Sequence, residues 1–258
     1  MAFIRPYQKS DFEATAVICR ATLPPSLQRS EAGTRLAPYI WTHPYTDLAP
    51  QNCFVLDDGG GRCVGYVIGC PDVFAFAAAY HAYVSKRLAA PEFMPRQMAV
   101  REPWSVPAAG EGDPMDLGQD GREVVVNEQF LLQIARNPRW QLIEGTGDGA
   151  KQALVETYRA TMHIDLLEPY QGKGWGRKMI DMFVGGVRGA GGKVVHVAVL
   201  DDETGAEREQ EMVLDYGKGI HIGVSGENTK VVPFYEKVGF RVHPGGESEG
   251  NVWMVYDL

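Results

Sequence analysis

Gln171-Gly172-Lys173-Gly174-Trp175-Gly176 follows the apolar stretch Ile164 to Leu167 and precedes a segment with helical periodicity. Glycine at alternate positions lets a backbone bend sharply and bring its N–H groups close to an anion. A helix starting near Trp175 would aim the positive end of its dipole at the same point, so the run reads as a phosphate-binding turn suited to a pyrophosphate. It is not a P-loop, which needs Gly-Lys followed by Ser or Thr, and it lacks the G-x-G-x-x-G spacing of a dinucleotide turn. A glycine-rich surface turn between strand and helix is the alternative that the run alone leaves open.

Two further stretches bear on that choice. Near the C-terminus, Asn228 is followed by Val232-Pro233-Phe234-Tyr235-Glu236-Lys237-Val238-Gly239-Phe240, and near the N-terminus Ile4-Arg5-Pro6 is followed by Asp11. Together with the glutamine-x-x-glycine-x-glycine turn, in this order, they resemble the signatures of the GCN5-related N-acetyltransferases (GNATs). Within that superfamily the chain is most similar to the acetyltransferase-like C-terminal domain of O-GlcNAcases and its free-standing relatives. This rests on Ile4-Arg5-Pro6, on Asn52 to Asp57 leading into Gly65 to Gly69, on Ile164-Asp165-Leu166 and on Pro233 to Gly239. The resemblance covers nearly the whole chain and implies an α+β fold with a central mixed, mostly antiparallel twisted sheet flanked by helices.

Local patterns fill in the elements. Phe3 to Pro6 suggests a strand, and Asp11 a cap for a helix carrying Ala14, Val17, Ile18 and Ala21 on one face. Cys53 to Leu56 and Cys63 to Ile68, separated by Asp57-Asp58-Gly59-Gly60-Gly61-Arg62, give a hairpin signal. Residues 71–153 form an insertion between the third strand and the motif strand, with helices expected over Ala75 to Leu88 and Val124 to Ala135 and irregular chain between. Thr157 to Leu167 is read as the motif strand and Trp175 to Arg188 as a helix with Met179, Ile180, Phe183 and Val187 inward. Ile220 to Val224 is favoured over Val194 to Leu200 as the strand that splays to admit the cofactor, because Asn228 and Tyr235 follow it at the expected distance. Val194 to Leu200, ahead of the charged run Asp201 to Glu211, becomes an extra hairpin arm within 193–218, and Val252 to Asp257 closes the sheet. The 258 residues are expected to form a single acetyltransferase domain.

Composition narrows the function. A 45% hydrophobic content supports a buried core, and the formal net charge of −8 without a Lys/Arg cluster argues against nucleic acid. No apolar run reaches the ~20 residues of a membrane span, and the N-terminus enters a strand pattern with no signal-peptide organisation, so a cytoplasmic or nuclear location is expected. Cys19, Cys53, Cys63 and Cys70 lack paired spacing and read as buried free thiols, with no metal. The partner is expected to be a small-molecule amine, with a homodimer left open.

The resemblance implies acetyl-CoA as cosubstrate and direct attack of an amine on its thioester. Backbone N–H groups near Leu166 and Leu167 would meet the carbonyl, and the Gln171, Gly172, Lys173, Gly174, Trp175, Gly176 turn would hold the phosphates. Arg177 would add charge there, Asn228 and Phe234 would border the pantetheine arm, and the Tyr235 hydroxyl would protonate the departing thiolate. The region holding Trp41 and Tyr45 would border the acceptor. Asp165 interrupts an apolar strand, and period-two alternation sets His163 on its face with Ile164 and Leu166 opposite. Asp165 is the candidate base and acceptor-orienting group, unless it only bonds a neighbouring loop, and His163 is the reserve. The favoured reading is acetylation of an amino sugar such as glucosamine. A protein lysine acetyltransferase and an inert acyl-CoA sensor are the alternatives.

Overall fold

The hairpin forms because the Asp57 carboxylate accepts from the N–H groups of Gly59 (2.8 Å) and Gly61 (3.0 Å), both of which adopt positive φ. The computed structural model describes residues 1–108, 116–117, 123–200 and 206–258. In chain order, β1 (Phe3–Pro6) leads to helices α1 (Phe12–Thr22), α2 (Pro25–Arg29), α3 (Glu31–Trp41) and α4 (His43–Leu48), then to β2 (Phe54–Asp57) and β3 (Cys63–Cys70). The insertion holds α5 (Val73–Ala78), α6 (Tyr80–Arg87), β4 (Ser105–Pro107), β5 (Asp116–Leu117), β6 (Glu123–Val126), α7 (Glu128–Arg136) and α8 (Ala150–Thr157). The chain continues with β7 (Ala160–Leu166), α9 (Trp175–Ala190), β8 (Val194–Leu200), β9 (Glu207–Val213), β10 (Gly219–Ser225), α10 (Val232–Lys237), β11 (Arg241–His243) and β12 (Asn251–Asp257).

The main sheet has the order β1-β2-β3-β7-β10-β12-β11, and every pair is antiparallel except β7 with β10. The fold is therefore α+β with a mixed, mostly antiparallel sheet flanked by helices. β3 is buried along its whole length, which explains an apolar run with little alternation. On one face lies α9, burying Met179, Ile180, Phe183, Val184 and Val187 at helical spacing. On the other, Tyr66, Ile68 and Cys70 join a second cluster with Leu36, Ile40 and the insertion residues Leu131 and Ile134. All four cysteines are buried and unpaired.

Several expectations need correction. Asp11 does not cap α1 with its side chain. Arg5 takes its carboxylate instead, at 2.7 and 2.8 Å, and Val17 and Ala21 are exposed while Thr15, Ala16, Ile18 and Cys19 are buried. Val124 to Ala135 is not one helix: the β-branched Val124-Val125-Val126 pairs within β6, and Asn127 then caps α7 by accepting from the Gln129 N–H. Thr157 ends α8, so the motif strand begins three residues later, at Ala160. The charged run includes β9, which pairs with β8 as a separate two-stranded ribbon; its residues 201–205, like 109–115 and 118–122 of the insertion, lie outside the described residues. Residues 26–50, whose sequence shows no single pattern, are helical for the most part.

Gly69 of β3 shows how closely α9 seats. A Cβ there would collide with the Thr161 carbonyl oxygen and stand 2.7 Å from the Phe183 ring. Neither backbone nor buried ring can yield cheaply, so Gly69→Ala is expected to cost about 2–4 kcal/mol, read as a lowered urea midpoint with unchanged slope.

Candidate active site

β7 and β10 pair over only two positions, Ile220 with Ala160 and His221 with Thr161. Beyond them both strands continue unpaired with one another, to Leu166 and Ser225, so the sheet opens between them. The strand that splays is thus the one containing Ile220 to Val224, which runs parallel to β7. The amide of Leu167 donates to the Val64 carbonyl at 3.0 Å. Antiparallel ladders alternate, and with Gly65 opposite Leu166 the next amide inward, that of Leu166, points away from β3 into the opening. Leu166 therefore offers a free donor at the split, whereas Leu167 is committed to the sheet.

The glycine turn follows at the end of β7. Gly172 (φ +69°) and Gly174 (φ +81°) both adopt the left-handed region, and a Cβ on either would meet nothing within 4 Å. The turn is open to an incoming group, and no side chain caps α9 at Gly174. Among the described residues, no acceptor takes the amides of Gly172, Lys173 or Gly174. That arrangement of donors at a helix N-terminus fits an anion. Gln171 acts locally, since its side-chain amide donates to the Leu166 carbonyl at 2.7 Å and folds the turn back on the strand. Gly176 is needed for packing, because a Cβ there would lie 2.8 Å from the Phe234 ring. Arg177 donates to the Lys237 carbonyl at the end of α10, so its guanidinium is drawn away from the turn. Lys173 is exposed with its ammonium 6.0 Å from the Tyr170 ring, and Trp175 packs under Lys178.

A cavity of about 1130 Å³ occupies the split and extends under the insertion. Trp41, His163, Asp165, Asn228 and Tyr235 all line it. Tyr45 does not: it is buried behind the wall, stacked on Phe76 and tilted against the His163 ring, because its α4 position faces the core. Asp165 is held by the Tyr66 hydroxyl, which donates to Oδ2 at 2.5 Å. Desolvation raises the Asp165 pKa above the usual carboxylate value, and the hydrogen bonds from Tyr66 and Thr22 pull it partly back. Burial lowers His163 to about 4, so its imidazole is neutral at pH 7 and a weak base. Burial, reinforced by the negative charge of Asp165, raises the Tyr235 phenol and keeps it protonated. Among the described residues, no side chain or carbonyl hydrogen-bonds the Tyr235 hydroxyl. Asn228 does not cap α10, which has no side-chain cap; it lies within the turn 226–231 that Ser225 caps by accepting from the Glu227 N–H, and it breaks helical geometry at φ −126° while lining the cavity.

No protein-family model matches the chain. Solved structures do. The crystal structure of SsHAT is 24% identical with a TM-score of 0.61, covering 99% of this chain and 98% of that one. A GNAT-superfamily phosphinothricin acetyltransferase from Sinorhizobium meliloti, solved with AcCoA, is 12% identical with a TM-score of 0.43, covering 100% and 88%. An agmatine N-acetyltransferase is 10% identical with a TM-score of 0.47, covering 100% and 99%. At this identity the likeness to SsHAT shows a shared fold. The parallel pair that parts after two residues, with a glycine turn leading into a helix, is the arrangement expected from the sequence's resemblance to the GNATs.

Tyr66 belongs to the site without any signal of its own in the sequence, although its register partner in β7 is Asp165 itself. Alternation along each strand is legible, but cross-strand register is not, since β3 and β7 are separated by the whole insertion in sequence and pair only in the folded sheet. Arg101 and Trp104 of the insertion are equally silent, because they lie on irregular chain.

The raised Asp165 pKa has a consequence for stability with a definite sign. Its protonated form favours the fold, and that contribution is lost as pH rises through the folded-state pKa. Asp165→Asn keeps an acceptor for Tyr66 and removes the ionisation. Its melting temperature is expected to equal the wild type in acid and exceed it at pH 7–8, by roughly 2–4 °C for each kcal/mol recovered. A pH-independent difference in melting curves would assign the effect to packing.

Proposed function

We propose that this chain is an acetyl-CoA-dependent N-acetyltransferase acting on a primary amine of a small molecule, with an amino sugar such as glucosamine as the favoured acceptor. The observation that carries the reading is the split between β7 and β10. It brings a desolvated carboxylate and a protonated phenol to one cavity, next in sequence to a strand amide turned toward the opening and to an open glycine turn. The donor set fits acetyl-CoA: turn amides for the pyrophosphate, Asn228 for an amide of the pantetheine arm, and the Leu166 amide for the thioester carbonyl.

Each group then has one role. Asp165, fixed by Tyr66, orients the ammonium and takes its proton, and a raised carboxylate pKa brings it closer to the working pH than an ordinary aspartate would be. The free amine attacks the thioester carbon while the Leu166 N–H donates to the developing oxyanion. The carbon–sulfur bond breaks, the thiolate takes the Tyr235 proton, and the second proton lost from the nitrogen as it becomes an amide restores the phenol. His163 is less suited as base, being lowered to about 4.

Trp41, Trp104 and Trp140 all line the acceptor side, alongside Gln141 and Asn251. Aromatic faces with neutral hydrogen-bonding groups suit a hydroxylated ring, and the resemblance to O-GlcNAcase-associated domains directs the choice to amino sugars. A lysine-tail acceptor needs an open groove. Here α2 is tied to the segment after β10, with the Ser26 N–H donating to Glu227 at 2.9 Å, and both residues wall the cavity.

A free-thiol release assay with acetyl-CoA tests the reading against glucosamine, polyamines and a histone-tail peptide. Release with glucosamine but not with N-acetylglucosamine is expected; transfer to the peptide alone would refute the acceptor assignment. Gly174→Val forces a β-branched residue into positive φ, so acetyl-CoA affinity by calorimetry should fall by about 10-fold or more in a variant that still melts cooperatively. Tyr235→Phe keeps the ring packing, so turnover should drop by ~10²-fold with acetyl-CoA affinity unchanged.

A further inference from the structure

The insertion supplies one wall of the cavity, and its charges are unevenly answered. Four carboxylates line the cavity and each has a donor. Asp165 has Tyr66, Glu227 has the Ser26 amide, Glu102 accepts from Gln97 at 2.8 Å, and Glu249 accepts from Trp253 at 3.1 Å with Lys151 at 3.5 Å. Arg101 is the one arginine or lysine among the lining residues. Its guanidinium donates to two backbone carbonyls, those of Gly145 and, at 3.3 Å, Trp140, and lies 5.7 Å from the Phe130 ring centroid. Among the described residues, no carboxylate comes within ion-pair distance of it. Glu249 and Glu144 act on it only at longer range, and desolvation lowers its pKa despite them.

A half-buried guanidinium bonded only to neutral groups retains an unspent charge. Its planar fork matches a carboxylate or phosphate in two parallel hydrogen bonds, and the aromatic surface beside it excludes water from such a pair. At the reaction end of the same cavity stands Asp165. We propose that the cavity recognises an acceptor with two opposite charges, a primary ammonium at Asp165 and a remote phosphate or carboxylate at Arg101. This rests on the acetyltransferase reading for the amine end and deepens it by making the insertion the element that selects the acceptor. An acidic protein repels anions in general, so a single cation inside the cavity discriminates more sharply than one on a basic surface.

The test is a binding measurement that needs no turnover. Calorimetry compares two pairs of amide ligands, each pair differing only in the anion. N-acetylglucosamine 6-phosphate is set against N-acetylglucosamine, and N-acetyl-6-aminohexanoate against its neutral primary amide. The wild type is expected to bind the anionic member of at least one pair about 10-fold or more tightly. The phosphate and carboxylate arms show which anion is taken. Arg101→Gln should abolish that preference and Arg101→Lys should retain part of it, with acetyl-CoA affinity unchanged in both as the check on folding. Equal affinity within both pairs, no binding of any of the four, or a preference that survives Arg101→Gln would overturn the proposal. A chain that transfers no acetyl group could still show the preference, and a transferase for neutral amines would turn over without it, so the two readings fail separately.

Discussion

The parting of β7 from β10 after Ala160 and Thr161 is the constraint on which the rest depends. A parallel pair normally continues as long as both strands do, because each unpaired amide and carbonyl in a dry interior costs free energy. Here Met162 to Leu166 and Ile222 to Ser225 give up that pairing. β3 satisfies one edge of β7 and β12 satisfies one edge of β10, so each half of the sheet remains anchored. The two edges between them are left for a ligand. The cavity, the open Leu166 amide and the access of a substrate to Asp165 all follow from this one divergence.

Asp165 and Tyr66 illustrate the tension between folding and chemistry. They face each other across β3 and β7 in a hydrogen-bonded pair, so the hydroxyl meets the carboxylate with little freedom to miss it. The carboxylate is desolvated and would be more stable protonated. A fold selected for stability alone would place an apolar residue here, as at Ile164 and Leu166 on the opposite face. Under the proposed function the unfavourable charge persists because its basicity is used.

What is legible in the sequence has a period or a fixed offset. The hairpin, the amphipathic α9, the glycine turn and the segment from Asn228 to Phe240 each announce themselves over a short span of chain. The opposite faces of His163/Asp165 and Ile164/Leu166 follow from strand geometry alone. What stays hidden depends on the third dimension. Tyr45 sits close after a helix break, and only the packing of α4 decides that it turns inward to Phe76. Gly176 belongs to the motif by spacing, yet its neighbour Phe234 comes from another helix. Val124 to Val126 runs straight into the apolar pattern of α7, and only the β-branched side chains and the cap at Asn127 separate strand from helix there.

The contact between Gly176 and Phe234 has a mechanical meaning. The N-terminus of α9 and the helix bearing Tyr235 interlock ring into backbone, and Arg177 fastens the same two helices by reaching the Lys237 carbonyl. The first turn after the glycine loop and the phenol therefore travel as one rigid piece. Any displacement of α9 at one end of the cleft is transmitted to the hydroxyl at the other. Descendants of this chain are thus not free to alter the two segments separately: a bulkier residue at position 176 demands a smaller one at 234, and the pair must drift together or not at all.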